Sequence, residues 1–87
     1  MKAIVNLFGK EIEIYSLSVK PAGYGHKKIT VELFYNGDYK AFSAVTNNMP
    51  ATDEANELEG IERYISYFSI IEDKIADEIG EWLEGLA

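Results

Sequence analysis

The hydrophobic repeat of this chain changes period once, and that change limits the fold more than any other feature. From Ala3 to Val45 apolar residues largely alternate with polar ones, the two-residue period of half-buried strands. From Leu58 onward they recur every three or four residues: Leu58, Ile61, Ile65, Phe68, Ile71, Ile75, Ile79, Trp82 and Leu86 form one helical stripe. Charge follows the same division. Residues 1–52 hold six lysines and four acids, a net of about +2, whereas residues 53–87 hold eleven acids against Arg63 and Lys74, a net of about −9. A near-neutral sheet carrying a strongly acidic helix is the expected arrangement.

Turn signals divide the first part into strands. Residues 3–8 read as the first strand, with Gly9-Lys10 as a II′ hairpin loop. In residues 11–20, Ile12 and Ile14 share one face, while Leu17 and Val19 fall on a face of opposite parity. A β-bulge near Tyr15-Ser16 would restore one common apolar face; the alternative is a strand buried on both sides. The segment from Pro21 to Lys27 reads as a loop on its proline and glycine content. Ile29, Val31, Leu33 and Tyr35 alternate along a strand over 28–36, and Asn36-Gly37 is a I′ hairpin signal. That hairpin sets Val31 opposite Phe42 and Ile29 opposite Ala44, on a fourth strand running from Asp38 to Val45.

Thr46–Ala51 reads as a connection, after which Thr52 or Asp53 caps a helix whose first turn is acidic. Gly60 marks either a kink or the true start of the long helix. The expected fold class is α+β: a four-stranded antiparallel meander of two β-hairpins packed on one long C-terminal helix, ββββα. The chain reads as a single domain over residues 1–87, with the sheet in 1–46 and the acidic amphipathic helix in 53–87.

Composition removes several classes. There is no cysteine, hence no disulfide framework and no thiolate chemistry. The first ten residues lack the apolar run of a signal peptide, and no stretch approaches the ~20 apolar residues of a membrane span. A soluble cytoplasmic protein is expected. A net charge of −7 disfavours direct binding of nucleic acid and anionic membrane surfaces.

Catalytic constellations are absent. His26 is the only histidine; it lies in a glycine-containing loop with Tyr24, Lys27 and Lys28, a candidate anion site that reads more simply as a solvated connection. No G-x-S-x-G occurs and no acid neighbours His26 in sequence. Asp73, Asp77 and Glu81 stack on one helical face, but one ladder on one helix supplies too few convergent oxygens for a dedicated cation cage. No enzyme activity, cofactor or metal is expected.

Geometry points instead to partners. A helix over 61–86 spans about 39 Å, an eight-residue strand only about 27 Å. Ile79, Trp82, Leu83 and Leu86 are therefore expected to overhang the sheet and to need another surface. Tyr64 and Tyr67, with Arg63 nearby, have the chemistry of interface anchors. Ile4, Phe8 and Phe34 are candidates for the second face of the sheet. The function expected first is a non-enzymatic protein-interaction module that forms a homodimer. The alternative uses the acidic face of Asp73, Asp77, Glu81 and Glu84 to mimic DNA and occupy a basic groove of a nucleic-acid-acting protein. In size and charge the chain is similar to DNA-mimicking inhibitors of phages and mobile elements, a compositional likeness with no shared motif.

Overall fold

Turn chemistry and alternation build one sheet, β1 (Ala3–Leu7), β2 (Lys10–Pro21), β3 (Lys27–Tyr35) and β4 (Asp38–Thr46), in a computed structural model that describes residues 2–86. The four strands lie in sequence order, each antiparallel to the next. Two helices follow, α1 (Met49–Glu57) and α2 (Gly60–Gly85), and complete the α+β arrangement. Asn36 and Gly37 both take positive φ (51° and 83°), the I′ geometry whose twist matches its flanking strands. Val31 accordingly faces Phe42, and Ile29 faces Ala44.

The bulge lies where parity requires it. Ile14 pairs with Leu33 and Ser16 with Glu32, so Tyr15 has no partner on β3. The extra residue returns Leu17 and Val19 to the face already occupied by Ile12 and Ile14. The first hairpin differs from expectation. Its turn is centred on Phe8 and Gly9, with φ of 52° and 75°, and Leu7 pairs with Lys10. Both central residues being left-handed makes this a I′ turn, in which Gly takes the second position rather than the first.

The inner face of the sheet supplies Ala3, Leu7, Ile12, Ile14, Ile29, Val31, Leu33 and Phe42 to the core. From α2 it meets Tyr67, Phe68, Ile71, Ile75, Ile79, Trp82 and Leu83. Ile65, placed in the apolar stripe by spacing alone, stays 38% exposed; Tyr64, half-buried, and Tyr67 occupy that turn of the contact instead. Phe8 leaves the sheet's second face altogether, its ring meeting the helix at Gly80.

The helical region is also divided. Asn48, not Thr52 or Asp53, caps α1: its Oδ1 accepts from the Ala51 amide at 3.2 Å, and Pro50 stands in the first turn, where its missing N–H is harmless. Thr52 is buried inside α1 and donates its hydroxyl to the Met49 carbonyl at 3.0 Å. After Leu58 and Glu59, Gly60 takes φ +61°, a conformation that costs an L side chain about 1–2 kcal/mol, and α2 begins there. Tyr67 ties the two helices together, donating its hydroxyl to the Thr52 carbonyl at 3.4 Å and to Asn56 Oδ1.

Candidate functional site

The side of the sheet turned away from the helices is assembled by direct cross-strand pairing. Ile4 pairs with Glu13, Glu13 with Phe34, and Phe34 with Tyr39, so one row crosses all four strands. Directly opposed residues share a face. The row is therefore the outward counterpart of the buried Ala3, Ile14 and Leu33. Tyr15 joins it through the bulge, which re-aims the side chain. Its ring meets that of Tyr39 edge-on at 4.9 Å, and Phe34 lies 4.6 Å from Tyr39 on the other side. Tyr39 thus links Tyr15 and Phe34 outside the core, with Tyr15 and Tyr39 54% and 50% exposed and Ile4 44%. Two tyrosines with accessible edges and hydroxyls have the make-up of interface anchors.

The rest of this open face is graded. Beyond the aromatic row come Ser16, Glu32 and Ala41, then Ser18, Thr30 and Ser43. At the far end Lys20 stands directly opposite Lys28. Like charges directly opposed destabilise a strand pair. At the aromatic end the charged groups are Lys2, Glu11 and Glu13, Lys2 pairing with Glu13 at 3.4 Å. The open face thus carries opposite charge at its two ends and little net charge.

The residues selected on sequence grounds lie elsewhere. Tyr67, Ile79, Trp82 and Leu83 are buried in the chain's own core, and Tyr64 and Leu86 are half-buried against it. The C-terminal end of α2 does not overhang. Trp82 is 7% exposed, its indole N–H donates to Asp38 Oδ2 at 2.7 Å, and its ring packs against Phe42 at 5.8 Å. The end of α2 lies along the start of β4, where Asp38 and Phe42 receive Trp82. Arg63 is engaged within the fold, donating to Asn56 Oδ1 at 3.3 Å and lying 5.9 Å from the Tyr67 ring. Ile4 and Phe34 do stand on the open face, as parity predicts.

Asp73, Asp77, Glu81 and Glu84 are all exposed along α2. Lys74, among them, donates to the Val45 carbonyl at 2.5 Å rather than to an acid. Among the described residues the single ion pair is Lys2–Glu13, so the acids of α2 stand uncompensated. Among those residues no group of three or more His, Asp or Glu converges to hold a metal ion. The loop around His26 is closed by two backbone hydrogen bonds of 2.9 Å, Ala22 N–H to His26 and His26 N–H to Gly23. Lys27 and Lys28 are consecutive in a strand and emerge on opposite faces, so they form no shared anion site. No helix is long and apolar enough to cross a membrane.

Comparison of the chain with protein-family models, with curated proteins and with solved structures finds no match.

Proposed function

We propose that this protein is a non-enzymatic interaction module of the cytoplasm that pairs with a second copy of itself through the open face of its sheet. One observation carries the reading: the exposed contact of Tyr15, Phe34 and Tyr39, on a face whose two ends carry opposite charge. A twofold axis stacks two such faces antiparallel. The opposed Lys20 and Lys28 of one copy then lie over the Glu11 and Glu13 end of the other, and the aromatic rings leave water. The helical side offers no such match, since every α2 acid would face its own kind.

Sedimentation of the parent protein and of the double variant Ile4→Ser, Tyr15→Ser tests this. The parent is expected to sediment as a dimer in the micromolar range and the variant as a monomer with unchanged far-UV circular dichroism. A parent that stays monomeric at high micromolar concentration overturns it.

The uncompensated acids of α2 favour a second reading, in which Asp73, Asp77, Glu81 and Glu84 present phosphate-like charge to a basic nucleic-acid-acting protein. Nuclease-treated lysate passed over immobilised protein and eluted with duplex DNA would release such a partner. The Lys-substituted variant at Asp73, Asp77 and Glu81 would retain none of it. Release of no nucleic-acid-acting protein, or equal capture by that variant, removes the reading.

A further inference from the structure

The hydrogen-bonding phase of β4 leaves part of one sheet edge open. In a hairpin closed by the two residues Asn36 and Gly37, the flanking pair Tyr35–Asp38 exchanges hydrogen bonds, and every second pair after it does the same. Asp38, Lys40, Phe42 and Ala44 therefore bond to β3. Tyr39, Ala41, Ser43 and Val45 turn their N–H and C=O groups outward. Lys74 takes the Val45 carbonyl and closes one end of this edge. Trp82, held by Asp38, stands at the other. Between these stops the outward groups of Ala41 and Ser43 have no partner among the described residues.

The open stretch is one wall of a cleft of about 550 Å³. Its opposite wall is α2, with Glu78, Glu81 and the edge of Trp82; Lys40 lines the β4 side, so the two carboxylates outweigh one ammonium and the cleft is net negative. A row of free backbone groups beside a groove is the geometry that receives an added strand. Charge selects the occupant. Edge-to-edge pairing of two copies would set two α2 helices side by side on one face of the joined sheet, Glu78 and Glu81 against the same acids of the partner. A strand bearing lysine or arginine meets attraction at the same place.

We infer that the β4 edge binds an extended, lysine- or arginine-rich segment of another protein, which adds to the sheet at Ala41 and Ser43 while its cationic side chains reach Glu78 and Glu81. This site uses the edge backbone of Ala41 and Ser43, whose side chains stand on the open face away from the aromatic row, and it does not depend on self-association.

Trp82, the only tryptophan, lies in the cleft and reports its occupancy by fluorescence. The probes are a synthetic peptide of alternating valine and lysine, its valine–glutamate counterpart, and the lysine peptide N-methylated on alternate residues. The lysine peptide is expected to shift Trp82 emission saturably and to slow amide exchange of Ala41 and Ser43 at least about tenfold, while the other two peptides do neither. Ala41→Pro removes one outward N–H at a position where an edge strand tolerates proline, and is expected to abolish binding. Glu78→Gln with Glu81→Gln should weaken binding about tenfold and flatten its salt dependence. The Ile4→Ser, Tyr15→Ser variant should bind the lysine peptide as the parent does, which separates this site from the aromatic row. Equal binding of the lysine and glutamate peptides overturns the inference. So does undiminished binding of the N-methylated peptide. Protection of Ala41 and Ser43 that rises with protein concentration in the Ile4→Ser, Tyr15→Ser variant, without peptide, assigns the edge to a second copy and overturns it as well.

Discussion

The two faces of the sheet are built from the same strands in alternate positions, yet they are governed by different physics. The inner face is apolar from β1 to β4 and is buried by α2. Its energetics are those of a packed core, where each lost methylene counts. The open face has one apolar row, a band of hydroxyls and charged ends. On the proposed function, substitutions there are expected to alter association rather than folding. The helical side adds a further contrast, because its exposed charges are acidic apart from Arg63 and Lys74, whereas the open face is close to neutral. Apolar surface is buried in one place and presented in the other, and on the proposed reading charge favours the open face for pairing with a second copy.

The strongest way to break this contrast is Trp82→Ala. If Trp82 belongs to the core, the variant loses about 3–5 kcal/mol of stability and its thermal midpoint falls sharply. A variant that stays as stable as the parent but becomes monomeric would return Trp82 to an interface. The next effect is expected at the open face: Tyr15→Ser should weaken dimerisation by about 2 kcal/mol, measured as a shift in dimer dissociation constant, with little change in monomer melting. Gly60→Ala tests the break between the helices, and its left-handed φ predicts a loss of about 1–2 kcal/mol in denaturant unfolding. Asn48→Ala removes the cap of α1 and should lose about 1 kcal/mol by the same measurement. The smallest effect sharpens the account of the first turn. Phe8→Asn puts a residue suited to left-handed φ at a position 61% exposed, and should raise the midpoint slightly, by under about 1 kcal/mol. A large loss there would give the Phe8 ring on Gly80 a larger part in packing.

Much of the sheet was legible before any coordinates. The Asn36-Gly37 signal and the parity change at Tyr15 each rest on a rule of local geometry: a I′ turn sets register, and apolar residues that change side call for a bulge or a strand buried on both faces, of which the fold uses the bulge. The first hairpin was less legible because Gly9 suits more than one turn type. A loop at Gly9-Lys10 pairs Ile4 with Tyr15, whereas the turn at Phe8-Gly9 pairs it with Glu13. Sliding the partner by two residues preserves the face, so Ile4 was placed on the open side even though its neighbour was not. The aromatic contact was harder to see. It needs the bulge to re-aim Tyr15 and the second hairpin to bring Tyr39 beside Phe34, two long-range events that no local pattern joins.

What the residues alone determined, then, is periodicity, parity and charge: four strands, a C-terminal helix, one apolar face, and an acidic half opposed to a near-neutral one. These are consequences of local geometry, in which a side chain's direction follows from its position in a strand or helix. Tertiary structure decided which apolar groups were spent and which remained. Trp82 became core because Asp38 and Phe42 of β4 lie against the end of α2, and α1 broke from α2 because Gly60 could take a left-handed turn. The exposed aromatic row and the open stretch of β4 emerge only when distant strands are set side by side, since burial and hydrogen-bond partners belong to the assembled fold and not to any single segment.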